Sequence, residues 1–71
     1  MLQNEVQKWR LLKNGKGVSR AHLARQIRVC RSYVTKLEQG KIQPSGEVMF
    51  KIAAYLERPI EDIFRYEKGG E

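Results

Sequence analysis

Apolar residues recur at three- and four-residue intervals along most of this chain, with short polar or glycine-bearing breaks between the runs. Val6, Trp9 and Leu12 define a first helix, and the Asn4 side chain can cap it by accepting a free N–H of the first turn. Asn14-Gly15-Lys16-Gly17 ends that helix, because glycine enters left-handed backbone at no steric cost. Ser19 then caps a second helix with Leu23, Ala24 and Ile27 as its stripe. Arg28-Val29-Cys30 leaves only a short connection to a third helix over about residues 31–39, with Val34 and Leu37 inward and Gly40 as a left-handed stop. Residues 41–44 cross to Ser45, the cap of a fourth helix that buries Val48, Met49, Ile52, Ala53 and Leu56. Pro59 opens a short fifth helix over about residues 59–64, where its missing N–H is no loss. Arg65-Tyr66-Glu67 is compatible with an extended end, and residues 68–71 read as a frayed tail.

The pattern predicts an all-α chain of five short helices, a single domain over residues 1–71 with no linker or internal repeat. An apolar share of 41% is enough for one small core, but so short a chain often draws further stability from an oligomeric partner. Charge changes the picture more: 14 Lys+Arg against 8 Asp+Glu give a net charge of +6, which favours nucleic acid or an acidic membrane surface as partner. No apolar run approaches a membrane span, and MLQNEVQKW has neither a basic nor an apolar leader region, so a cytoplasmic protein is expected. A lone Cys30 cannot form an internal disulfide, in keeping with a reducing cytosol. One His and one Cys make no metal-ligand set. There is no carboxylate–His pairing, nucleophile–base pair or phosphate loop, so no enzyme, cofactor or small-molecule ligand is expected.

The third helix carries the candidate chemistry. Opposite its apolar side stand Arg31, Ser32, Thr35 and Lys36, a basic and hydroxylic face that a partner helix holds at a fixed angle, as insertion into a DNA major groove requires. The helix-turn-helix at about residues 19–40 resembles the lambda-repressor-like family of phage repressors and Cro proteins. Ser19, Leu23, Ala24, Ile27, Ser32, Val34, Leu37, Glu38, Gly40 and Pro44 carry the likeness, which runs on to PIEDIF at 59–64 and covers about residues 4–64.

The resemblance implies a five-helix DNA-binding domain. Arg31, Ser32 and Lys36 would reach bases, with Thr35 adjacent; Arg and Lys suit guanine O6 and N7, and the Thr methyl suits thymine. One of Arg31 and Lys36 binding only phosphate is the alternative. Ser19 and Arg20 would meet a phosphate at the start of the second helix, Arg20 standing where the family usually has Gln. Lys41, Gln43 and the backbone at Ser45 and Gly46 would grip phosphates beyond the groove. Tyr33 would offer its hydroxyl to a phosphate or simply pack.

Several positions depart from the family. Its arginine that pairs with the Glu of L-E-x-G, here Glu38, corresponds to Arg10 or, counting back from Ser19, to Lys13. Arg28 replaces the usual turn glycine, and left-handed backbone there would cost about 1 kcal/mol. Cys30 replaces a Ser or Thr cap, and is either a thiol activated by Arg28 and Arg31 or an idle one. His22 reads as exposed or packing. Small members of the family add a pairing strand at each end that helps form a two-fold dimer. Residues 1–3 and 65–67 are the candidates, with Leu2, Ile60, Phe64, Tyr66 and also Tyr55 as interface; a monomer is the alternative. The expected function is a sequence-specific regulator of transcription, a repressor binding a palindromic double-stranded operator as a homodimer. An antitoxin-type subunit and a protein-bridging module are the rivals.

Overall fold

The computed structural model describes residues 2–66, with the side chains of Leu2 and Tyr66 outside that description. Five helices follow a short strand: β1 Leu2–Asn4, α1 Val6–Leu12, a 3-10 turn Lys13–Gly15, α2 Arg20–Ile27, α3 Arg31–Glu38, α4 Gly46–Leu56, α5 Ile60–Ile63 and β2 Phe64–Tyr66. This is the all-α, lambda-repressor-like arrangement with a small antiparallel sheet at the chain ends. The strands pair as Leu2↔Tyr66, Gln3↔Arg65 and Asn4↔Phe64. The described strands are Leu2–Asn4 and Phe64–Tyr66 rather than residues 1–3 and 65–67. Met1, Glu67 and the expected tail at 68–71 lie outside the described residues.

Capping follows the local chemistry. Ser19 Oγ accepts from the His22 N–H at 3.0 Å, and Ser45 Oγ from the Val48 N–H at 3.2 Å, each satisfying a donor that its helix cannot. Asn4 differs from expectation. It ends β1, and Glu5 occupies the cap position of α1 without a side-chain hydrogen bond. Asn4 Oδ1 still accepts from the Val6 N–H at 3.2 Å, while its Nδ2 donates to the Leu37 carbonyl at 2.8 Å, tying the first strand to the end of α3. Pro59 likewise caps α5 rather than opening it, and Phe64 has already left the helix for β2.

The core is Val6, Leu23, Ala24, Ile27, Val34, Leu37, Ile52, Ala53, Leu56, Ile63 and Phe64. Trp9, Val48 and Met49 pack against it half-buried. Leu12 departs from its expected inward place and is 56% exposed. The reason is rotational: α1 buries Val6 and Arg10, four apart on one face, and at 100° per residue position 12 lies well round from both. Trp9 is fixed from several sides. Its Nε1 donates to the Asp62 carbonyl at 3.1 Å, and the Arg58 guanidinium and Lys8 ammonium stand 4.3 and 4.9 Å from its ring.

Between α1 and α2 the chain needs Gly17. Its φ is +80°, and a Cβ would lie 2.8 Å from the Leu11 carbonyl oxygen. The turn between α2 and α3 is tighter still: Arg28 takes φ 61°, ψ 48°, and its N–H bonds back to the carbonyls of Ala24 and Arg25. Arg thus occupies a left-handed position that costs it about 1 kcal/mol.

Candidate nucleic-acid interface

Ala24, small and buried, lets α2 and α3 approach closely, and Leu23, Val34 and Leu37 fill the space around that crossing. The remaining face of α3 points outward. Arg31, Ser32 and Lys36 are exposed, Thr35 is half-buried, and together with Gln39 and Lys41 they line one open depression. The four residues expected to read bases therefore lie side by side. Gln39 was not singled out from the sequence, although it falls four positions after Thr35 and three after Lys36, the spacing that shares a helix face. Thr35 Oγ1 donates to the Arg31 carbonyl at 3.3 Å, which leaves its lone pairs free to accept.

Cys30 stands at the cap of α3 without a side-chain bond to the helix backbone. Its exposed sulfur lies 3.1 Å from Ser32 Oγ. The contact with Ser32 is the main cause of a thiol pKa below its ordinary value, and the Tyr33 backbone N–H adds to it without a full capping hydrogen bond. Tyr33 is half-buried against the core.

A second depression is lined by Arg10, Ser19, Arg20, Ala21 and Arg31, so the starts of α2 and α3 face one space. Beneath it lies a buried charge cluster. Arg10 Nε donates to Glu38 Oε2 at 2.7 Å and Arg10 Nη2 to Oε1 at 3.3 Å, while Arg10 Nη1 holds the Val18 carbonyl at 2.8 Å. Of the two partners left open for Glu38, Arg10 is the one. Lys13 instead meets Glu57 at 3.2 Å and lies 4.9 Å from the Tyr55 ring. Arg20 also joins the cluster, its Nε donating to Glu38 Oε1 at 2.9 Å, a contact the sequence did not suggest.

Lys41, Gln43, Ser45 and Gly46 are all exposed along the link to α4, around a buried Pro44. Open space surrounds the position of a Cβ at Gly46, so packing within the described residues does not demand glycine there. Of the residues expected at a dimer contact, Ile60 and Tyr55 are half-buried. Phe64 is only 6% exposed and belongs to the core of one chain. Leu2 and Tyr66 face each other as backbone partners across the strand pair.

Charge is divided unevenly. Between Ser19 and Gly46 stand Arg20, Arg25, Arg28, Arg31, Lys36 and Lys41 against Glu38 alone. Elsewhere most described cations have a carboxylate: Lys8 and Arg65 at Glu5, Lys13 at Glu57, Lys51 at Glu47, and Arg58 at Asp62. Arg25, Arg28, Arg31, Lys36 and Lys41 have no ion-pair partner among the described residues. No described helix is long and apolar enough to cross a membrane.

A surface of this kind on two crossed helices is the working part of a helix-turn-helix, and the Helix-turn-helix family model matches residues 8–63. An HTH-type transcriptional regulator of Methanocaldococcus jannaschii is 36% identical over 66 residues, covering 93% of this chain and 96% of that protein. Two HTH-type transcriptional regulators of Archaeoglobus fulgidus are each 35% identical over 51 residues, covering 72% of this chain and 73% and 72% of their own lengths. The chain belongs to the helix-turn-helix family of DNA-binding transcriptional regulators.

Proposed function

We propose that this chain acts as one helix-turn-helix domain that represses transcription in the cytoplasm by occupying a palindromic operator as a homodimer, without catalysis, metal or cofactor. The observation that carries the reading is the row of unpaired cations on and around α3. A folded protein that leaves them uncompensated has a polyanion to meet. In this reading α3 lies in the major groove, with Arg31, Ser32, Thr35 and Lys36 at base edges. Ser19, Arg20, Tyr33, Lys41, Gln43, Ser45 and Gly46 hold the phosphates on either side. Ile60 and the two end strands, with Leu2 and Tyr66, form the two-fold contact, and Phe64 supports it from within the core.

Selection of duplexes from a random pool, followed by sedimentation of the complex, tests this directly. The expected product is a pair of inverted half-sites about one helical turn (~34 Å) apart, bound by two chains. Binding should weaken steeply with salt. Unordered products, or affinity that is flat with salt, would remove the reading.

A second role draws on Leu11, Leu12 and Phe50, which are 53%, 56% and 68% exposed. Large apolar side chains on the surface suit a protein partner, as in an antitoxin-type subunit. Polar residues at these positions should leave operator binding and dimerisation intact if the partner is another protein, and weaken both if it is a second copy.

A further inference from the structure

Arg20 is the first residue of α2, and it differs from its unpaired basic neighbours in having a carboxylate partner. Its Nε is fixed to Glu38, yet the side chain remains 38% exposed. Its two terminal nitrogens make no hydrogen bond among the described residues. Glu38 itself cannot follow Arg20 outward. It is the last residue of α3, its side chain is 2% exposed, and Arg10 already holds both of its oxygens. One carboxylate between two guanidiniums leaves a positive charge over, and Arg20 presents it beside Ser19 and Arg31 in the open depression at the starts of α2 and α3.

We propose that Arg20 is a two-ended bridge, with Nε anchored on Glu38 at the end of α3 and its outer nitrogens on one DNA phosphate, and that Glu38 is the positioning residue for that contact. The proposal rests on α3 lying in the major groove. A guanidinium is a flat fork with donors along more than one edge, so it serves two anions in different directions at once. An ammonium carries its three donors on one atom, so it cannot span two anions that lie against opposite edges of a guanidinium. Through the bridge, the phosphate contact fixes the end of the recognition helix as well as the start of α2, so backbone grip and base reading share one register.

The experiment compares the full chain with Arg20→Lys, Arg20→Ala and Glu38→Gln on the duplex recovered by selection. Each phosphate in turn is replaced by a neutral methylphosphonate. For the unaltered chain, one phosphate near the start of α2 should cost about tenfold in affinity when neutralised, the scale of a lost charge-assisted hydrogen bond. Arg20→Lys should abolish that penalty and match Arg20→Ala despite keeping its charge, and Glu38→Gln should abolish it too. Circular dichroism checks that each variant is folded. If Glu38→Gln does not fold, Arg20→Lys decides alone, because it leaves the Arg10–Glu38 pair in place. A lysine variant that keeps the same phosphate penalty overturns the bridge, as does a folded Glu38→Gln that keeps it. Loss of base preference in Arg31→Ala, with an unchanged phosphate profile in Arg20→Lys, would leave the function standing and remove only the bridge. A chain that selects no duplex at all would remove the function itself.

Discussion

The helix-turn-helix and the rest of the molecule use the same residue types for opposite ends. On α1, α4, α5 and β2 nearly every described cation stands beside a carboxylate, as Lys51 does beside Glu47 and Arg58 beside Asp62 at 2.6 Å. On the outer side of α2 and α3 the cations other than Arg20 stand alone. Exposed pairs of the first kind contribute little stability, about 0.2–1 kcal/mol each, but they neutralise the surface. The lone cations gain no ion pair within the fold and raise its self-repulsion. The difference teaches where the positive charge is directed: compensation on one side leaves a field concentrated on the other, aimed at a partner.

The largest effect should come from breaking the one buried pair that joins the two regions. Arg10→Ala leaves Glu38 buried with Arg20 as its remaining partner, and unfolding by denaturant should show a loss of about 3–5 kcal/mol. A loss under 1 kcal/mol would mean that the cluster is not a structural link.

Substitutions within the two regions should then diverge. Arg31→Ala and Lys36→Ala should each weaken binding to the selected duplex by about 1–3 kcal/mol, relax preference at particular base pairs, and leave stability nearly unchanged. Lys51→Ala, which removes a cation from the compensated side, should change neither quantity measurably. Equal losses from Lys36 and Lys51 would erase the comparison.

Arg28 sharpens it, because one substitution should move the two quantities in opposite directions. With φ at 61°, Arg28→Gly relieves the left-handed strain, and stability should rise by up to about 1 kcal/mol. At the same time the loss of one unpaired cation near α3 should weaken binding to duplex at low salt. Stability that falls instead would show that the side chain supports the turn.

The smallest effect concerns Cys30. Its thiol pKa is lowered in the fold, so the folded chain holds fewer protons than the unfolded one between the two values. The added stability is present above the unfolded pKa and fades as pH falls through the folded one. Iodoacetamide labelling against pH should therefore show a lower midpoint in the native protein than in urea. Identical midpoints would show that Ser32 and the Tyr33 N–H do not favour the thiolate.

Much of this was legible in the sequence because the determinants are local. The stripe of Leu23, Ala24 and Ile27, the caps at Ser19 and Ser45, and the left-handed stop at Gly40 all follow from spacing and residue type within a turn or two. The outward row of Arg31, Ser32, Thr35 and Lys36 follows from the same periodicity. What was not legible depends on contacts between distant segments. Arg10 and Lys13 are nearly equivalent by spacing, and only the docking of α1 against α3 and α4 sends one to Glu38 and the other to Glu57. Arg20 meets Glu38 across 18 positions because the α2–α3 crossing brings them together, which no local pattern encodes. Leu12 was misread because the buried side of α1 includes an arginine, and a polarity pattern counts arginine as surface.

Trp9 has an experimental use beyond its packing. The chain contains one tryptophan. Its ring stands close to Arg58 and Lys8, with the indole N–H on the Asp62 carbonyl, so it belongs to the compensated side of the molecule. Intrinsic fluorescence therefore monitors the seating of α1 on the α4–α5 end without a dye or a tag, and it does so away from the proposed groove contacts. A titration with duplex that leaves the emission spectrum still while anisotropy climbs would separate occupancy from unfolding in a single cuvette.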